Sequence, residues 1–431
     1  MSESNPNSNH GIRHSSRDLN VELLRIIACL MVIMIHVRPF PFSGTTLRDA
    51  VVFINVMNGP AVASFFLISG FFISKKQTLS HIIERFLKGV ILPTAVFVFC
   101  LGLIRPWIDT PGMGLLQSVL SSHPFSILAD MLQGFLAFDT VRFGIYADHL
   151  WYIFSYASIM FWMPVILTLV KHDENTALKL MLLIGVFHYT LVNLSALVVL
   201  PFGIYIPEAM GKPALYAIAG YLFYSWIKKV RATEQPLTRS KRLPLLFLFM
   251  FIILSTVLFF LQKHVYTQGL MIGRSVDELN TDYYFTSWSG LICALQTVSL
   301  AGFVLLLPLK LQYKSGASSV SSANTDNSSF KDQPKQPSGS IAVPYSAVST
   351  LISTLGSYTF YIYLIHYVFT NHFRATGLEA AFKGFFGETS LGLILYSLVY
   401  SLFIFAFCSI LIYITNMLVI KCVVLGKRHA E

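Results

Sequence analysis

Runs of about twenty predominantly apolar residues, broken by short polar or basic connections, repeat along almost the whole chain, and this repetition limits the fold more than any other feature. A run of that length crosses the ~30 Å hydrocarbon core of a bilayer as a single helix. Inside hydrocarbon every backbone N–H and C=O must find a partner within the protein, so only helices and closed barrels are admitted. Ten runs qualify: 20–38, 51–73, 88–105, 150–170, 177–200, 212–227, 243–262, 287–309, 346–370 and 391–415. The stretch 125–138 is amphipathic and short, and reads as an interfacial or re-entrant piece. Composition agrees. AVILMFWYC supply 55% of the 431 residues and DEKR only 12%, against roughly 25% charged residues in a soluble domain. The expected fold is all-α: a polytopic membrane helix bundle of about ten transmembrane helices.

The distribution of Lys and Arg sets the orientation, because cytoplasmic connections carry the excess of positive charge. With the N-terminus inside, twenty-one of the 31 Lys and Arg fall on the cytoplasmic side and nine on the other, Arg25 lying within a span. Both termini are therefore expected in the cytoplasm. The net charge of +10 is then a topology signal and an attraction to anionic membrane lipids, and no nucleic-acid partner is required. The expected organisation is a polar cytoplasmic N-terminus (1–18), spans one to eight (19–312), a flexible Ser/Asn/Pro-rich cytoplasmic linker (313–345), spans nine and ten (346–420) and a basic cytoplasmic tail (421–431). The linker has too few apolar residues to bury a core. The first span follows a polar stretch with no small-residue cleavage site after it, so it reads as retained and not as a signal peptide. The five cysteines stand singly, without metal-ligand or disulfide spacing.

An ionisable group inside a span costs a few kcal/mol and is by default a functional candidate. The first span holds Glu22, Arg25 and His36. Glu22 and Arg25, at i and i+3, can pair on one face. Arg25 and His36 are eleven residues apart, three turns plus about 20°, so they share a face roughly 16 Å apart along the axis. Snorkelling of Arg25 and an interfacial His36 are the plainer alternatives. In span two, Ser69-Gly70 permits close helix approach. Arg85 and Lys88 at the start of span three present two cations suited to phosphate groups, though positive-inside flanking explains them equally well. His149-Leu-Trp151 opens span four, where an aromatic belt is expected in any case. Span nine carries Tyr363 and His366. HExxH, GxSxG, P-loop and dinucleotide glycine patterns are absent, as are paired carboxylates. No metal site is expected, and the chemistry rests on His and Arg.

Four segments together resemble the membrane-bound acyltransferase-3 family of bacterial O-acyltransferases. They are Glu22-Leu-Leu-Arg25 continuing to His36, Ser64-Phe-Phe-Leu-Ile-Ser69-Gly70-Phe, His149-Leu-Trp151-Tyr152 and Tyr363-Leu-Ile-His366, in the family's order. Enterobacterial-common-antigen O-acetyltransferases are one similar type, and modifiers of lipopolysaccharide or exopolysaccharide are others. Two departures stand out: Lys88 where the family's second arginine is common, which loses the bidentate fork, and Glu22 in place of aspartate.

The resemblance implies an O-acetyltransferase that takes acetyl-CoA as cytoplasmic co-substrate, binds no other cofactor, and acylates a hydroxyl of a surface polysaccharide or its lipid-linked precursor. Succinyl transfer is the variant within the family. On this expectation His36, Arg25 and Glu22 are catalytic and Arg85 and Lys88 hold donor phosphates. Ser69, His149, Trp151, Tyr363 and His366 are the acceptor or oxyanion candidates. A secondary transporter is the competing class, but such proteins usually show internal repeats and broken helices, and neither is visible in this chain.

Overall fold

The structure, a computed structural model, describes residues 18–37, 45–109, 113–137, 139–197, 211–232, 242–271, 290–309, 345–387 and 389–428. The expected linker, apart from Tyr345, and the N-terminal stretch before Asp18 lie outside the described residues. Those that are described form helices and no strands.

In chain order the α-helices are α1 (Leu19–Val37), α2 (Thr45–Asn58), α3 (Pro60–Phe71), α4 (Leu79–Phe86), α5 (Leu92–Asp109), α6 (Leu115–Ser121), α7 (Pro124–Ala137), α8 (Trp151–Lys171), α9 (Asn175–Leu197), α10 (Lys212–Ala232), α11 (Arg242–Met271), α12 (Leu291–Leu305), α13 (Tyr345–Ala375), α14 (Leu378–Phe386) and α15 (Ser390–Arg428). A π-helical turn, Leu87–Ile91, joins α4 to α5, and two 3-10 turns, Thr140–Phe143 and Ile145–Leu150, lead into α8.

Helices occupy all ten expected positions, and seven of them are long and apolar enough to cross a membrane. The other three positions hold α9, α10 and α12. Residues 175–187 of α9 and the 15-residue α12 count only as shorter apolar helices. The run Lys212–Ala232 carries Tyr, Ser, Lys and Arg among its apolar residues, and most of its first two turns is buried against neighbouring helices. A helix wrapped in protein has less need of an apolar surface. The 125–138 stretch is α7, whose 14 residues span only about 21 Å at 1.5 Å per residue, short of the bilayer core. Helix α15 continues through the expected tail as far as Arg428.

The centre of the bundle is α1, which packs on α2, α3, α12, α13 and α15. Its apolar residues enter three cores: Val21 and Leu24 join α3, α8, α10 and α12; Ile26, Cys29 and Ile33 join α13 and α15; and Val32 joins α5, α8 and α13. The tightest contact is between α3 and α10. A Cβ on Gly70 would lie 2.0 Å from the Ala217 carbonyl oxygen, and one on Gly220 would lie 2.0 Å from that of Leu67. The two backbones touch because neither residue has a side chain, the close approach expected of Ser69-Gly70.

Candidate active site

The start of α1 is pinned by hydrogen bonds. Asn20 Nδ2 donates to the carbonyls of Val304 (2.7 Å), Leu305 (3.2 Å) and Leu307 (2.8 Å), at and just beyond the end of α12, where helix carbonyls lack N–H groups of the next turn. Asp18 accepts from Arg231 (2.7 Å) and from the Tyr224 hydroxyl (2.9 Å). These contacts fix the rotation of α1, and with it the face on which Glu22, Arg25 and His36 stand.

Glu22 is buried, 4% exposed. Its two carboxylate oxygens accept from Arg25 Nη1 at 3.0 and 3.2 Å. A Cβ on Gly356 would meet Glu22 Oε2 at 2.3 Å and Glu22 Cβ at 2.7 Å, so the carboxylate sits in space that only a glycine on α13 leaves open. The Arg25 guanidinium lies 5.0 Å from the centroid of the Phe72 ring, a cation–π distance. Pairing and ring contact together hold an intramembrane charge that would be costly alone.

Glu22 and Arg25 line a cavity of about 580 Å³ together with Ser69, Phe72, Tyr152, Tyr156, Gly356 and Tyr363. That volume is in the range of small-molecule sites. Ser69, Phe72, Val90 and Tyr156 also line a second cavity of about 150 Å³, which extends to Arg85 and Gln77. Arg85 therefore stands where the cavities approach the surface at the α4 end. Lys88 does not join it. Its ammonium pairs with Glu84 at 2.7 Å, and its side chain is 74% exposed.

At the other end of α1 three histidines from three elements meet. The ring of His36 is 6.2 Å from that of His149 and 5.3 Å from that of His366, and the last two are 5.1 Å apart. Tyr367 completes the cluster, 4.7 Å from His36 and 5.1 Å from His149. His149 and His366 are buried. His366 Nδ1 lies 2.7 Å from the Tyr363 carbonyl oxygen and 3.2 Å from that of Ile362, while its Nε2 is buried without a partner among the described residues. His149 lies in the 3-10 turn just before α8. Burial, then the neighbouring His366 and His36 rings, push its imidazole well below the usual value, so it stands in the neutral form. No group of His, Cys, Asp or Glu among the described residues is arranged to hold a metal ion.

Tyr363 separates the cavity from this cluster. Its ring lines the cavity, lies 5.2 Å from the His149 ring and 5.5 Å from the Tyr152 ring, and its hydroxyl donates to the His149 main-chain carbonyl. The cavity thus ends one aromatic layer short of the histidines.

Of the residues singled out in the sequence, Glu22, Arg25, Ser69 and Tyr363 share the large cavity, and His36, His149 and His366 converge beyond it. Trp151 is 37% exposed and lines neither cavity. Sequence reasoning passed over Gly356, Phe72, Tyr156 and Tyr367. Tyr367 follows His366 directly, which is the one signal that marked it; the rest reach the site through tertiary packing alone.

A neutral, buried imidazole beside other imidazoles and phenols can take and return a proton, and such groups suit transfer of an acyl group to a hydroxyl. An acyltransferase-domain family model, acyltransferase-3, matches residues 18–413, nearly the whole chain. The chain belongs to the acyltransferase-3 family. No curated protein and no solved structure gives a significant match. As a member of this family with seven apolar helices of membrane-crossing length, the protein is a multi-pass membrane acyltransferase, which moves an acyl group from a donor to an acceptor. Within that frame, the two ends of α1 hold different equipment: an ion pair facing a cavity at one end, and a cluster of proton-carrying rings at the other.

Proposed function

We propose that this acyltransferase moves an acetyl group from cytoplasmic acetyl-CoA to a hydroxyl of a surface polysaccharide or its lipid-linked precursor, in the bacterial inner membrane. The observation that carries the reading is the meeting of His36, His149 and His366, with ring centroids 5.1–6.2 Å apart, one aromatic layer beyond a cavity lined by the Glu22–Arg25 pair and Tyr363. A charged nucleotide does not cross hydrocarbon, whereas a pantetheine arm can thread between helices. Arg85, at the mouth of the smaller cavity, is suited to the donor phosphates, and the larger cavity to the arm. Lys88, engaged with Glu84, contributes positive charge at the same surface.

In the transfer step, the acceptor hydroxyl gives its proton to the His36 imidazole acting as base and its oxygen attacks the thioester carbonyl. The carbon–oxygen bond forms, the carbonyl electrons collect as an oxyanion, and collapse breaks the carbon–sulfur bond. The imidazolium returns its proton to the departing thiolate, so the enzyme ends unchanged. The His149 ring, 6.2 Å from that of His36, is the candidate donor to the oxyanion, a role typically worth 10²–10³ in rate for one donor; the Tyr363 hydroxyl is already spent on the His149 carbonyl and holds that ring in place.

Isotopically labelled acetyl-CoA added to inverted membrane vesicles tests the proposal. Label entering a glycan in wild type and absent in His36→Ala and Arg25→Ala, at equal membrane levels of protein, is the expected result. Full labelling by His36→Ala would remove the assignment, and uptake of an intact solute without acylation would favour transport.

A further inference from the structure

The last turn of α1 is held by a side-chain clamp that no motif marks. Arg374 lies on α13 about two turns beyond Tyr367. Its guanidinium uses all three nitrogens: Nη2 donates to the main-chain carbonyl of His36 (3.3 Å), Nε to Glu379 Oε2 (2.8 Å) and Nη1 to Asn371 Oδ1 (3.4 Å). The other oxygen of Glu379 accepts from the Tyr396 hydroxyl at 3.0 Å, and Tyr396 is buried in the core of α15. A continuous path of donors and acceptors therefore runs from α15, through α14 and α13, to the residue that carries the central imidazole.

Two features make this more than a surface ion pair. The carbonyl of His36 belongs to the last turn of α1 (Leu19–Val37), so the Arg374 guanidinium bonds to it at the negative end of the helix dipole. The Glu379 side chain is only 13% exposed and its other oxygen is held by Tyr396, so the half-exposed guanidinium is aimed by a carboxylate that is itself anchored. The bridge needs the planar fork of arginine: one nitrogen serves the carboxylate and another the carbonyl, which a single ammonium cannot do in the same geometry.

We infer that Arg374, Glu379 and Tyr396 form a positioning clamp that sets His36 against His366 and Tyr367 for acyl transfer. The inference rests on the acyl-transfer reading above. Arg374 touches the backbone of His36 and so acts through it. Displacement of a reacting group by about 1 Å is enough to cost 10²-fold in rate, so loosening the end of α1 lowers turnover and leaves donor binding at the other end of the helix alone.

The test compares Arg374→Lys, Glu379→Ala and Tyr396→Phe with wild type in the vesicle assay, alongside purification to a monodisperse sample. Arg374→Lys is expected to lower kcat by about ten- to a hundredfold with KM for acetyl-CoA unchanged, the pattern of an interaction realised only in the transition state. Glu379→Ala should follow it, and Tyr396→Phe should fall between. Wild-type kcat in Arg374→Lys would overturn the clamp, since charge alone would then suffice; so would a raised KM with unchanged kcat. If the lysine variant does not purify, Glu379→Ala decides by the same criteria. His36→Ala in the same series keeps the two ideas apart: full transfer there removes the site reading, while its loss together with an active Arg374→Lys removes the clamp only.

Discussion

Replacing Gly356 by alanine asks whether the Glu22–Arg25 pair is seated as tightly as its packing implies. The added methyl would stand 2.3 Å from Glu22 Oε2 and 2.7 Å from Glu22 Cβ. The first contact alone could be relieved by rotating the carboxylate, but the second involves an atom tied to the backbone, so either α1 or α13 must move. Overpacking of this kind costs about 1–3 kcal/mol. If the whole of that strain were expressed at the transition state, at 1.36 kcal/mol per factor of ten, acyl transfer would fall by about five- to 150-fold. Gly384→Ala supplies the control, because a Cβ there meets nothing within 4 Å and an alanine in a helix gains roughly 0.5–1 kcal/mol over glycine. The assay pairs thermal unfolding of the detergent-solubilised protein with labelled acetyl transfer in vesicles. Gly356→Ala should unfold at lower temperature than wild type and transfer slowly, with Gly384→Ala equal to wild type or more stable. If the two alanine variants matched in both stability and activity, the close seating of Glu22 against α13 would be refuted.

Other outcomes follow from the same geometry. Glu22→Gln removes the counter-charge of Arg25 while keeping its shape, and should cut acetyl transfer by at least tenfold at unchanged protein level, measured in the same vesicles; breaking one side of a buried pair costs about 3–5 kcal/mol, and partial exposure of Arg25 reduces that. Gly220→Ala drives a methyl into the Leu67 carbonyl, so the protein should lose its α3–α10 contact and fail to accumulate, read by immunoblot of membranes. Because burial lowers the His149 pKa in the folded state, the unfolded chain binds the proton first. Wild type should therefore lose stability relative to His149→Gln as pH falls below about 6.5, at up to ~1.4 kcal/mol per pH unit, checked by unfolding scans between pH 8 and pH 5.

Much of the site was legible because it lies on one helix. Eleven residues return an α-helix almost to the same face; Arg25 lines the interior cavity, and His36 meets His366 and Tyr367 of α13. The convergence of His149 and His366 on His36 was not visible in the sequence, which marked them only as separate candidates; spacing within single spans could not place three elements around one point. Arg85 and Lys88 sit at i and i+3, yet only Arg85 reaches a cavity, because Glu84 one turn earlier captures the lysine. Gly356 and Arg374 were not readable at all, since a glycine in an apolar run and an arginine at a helix end each have ordinary local explanations. Their roles depend on which helix lies opposite. The helix positions were read correctly because apolarity is a local property, while α10 and α12 show that a helix enclosed by others need not be long or uniformly apolar.

Acyl transfer at His36 requires the donor's reacting carbon to come to rest beside that imidazole. Electron cryomicroscopy of the protein with a non-transferable thioether analogue of acetyl-CoA would locate it directly. The pantetheine arm is predicted to run past Arg25 through the cavity to Tyr363, with its carbonyl-equivalent carbon within about 3–3.5 Å of a nucleophile held by His36. An analogue bound elsewhere, or a cavity filled only by lipid while the nucleotide occupies another face, would contradict it.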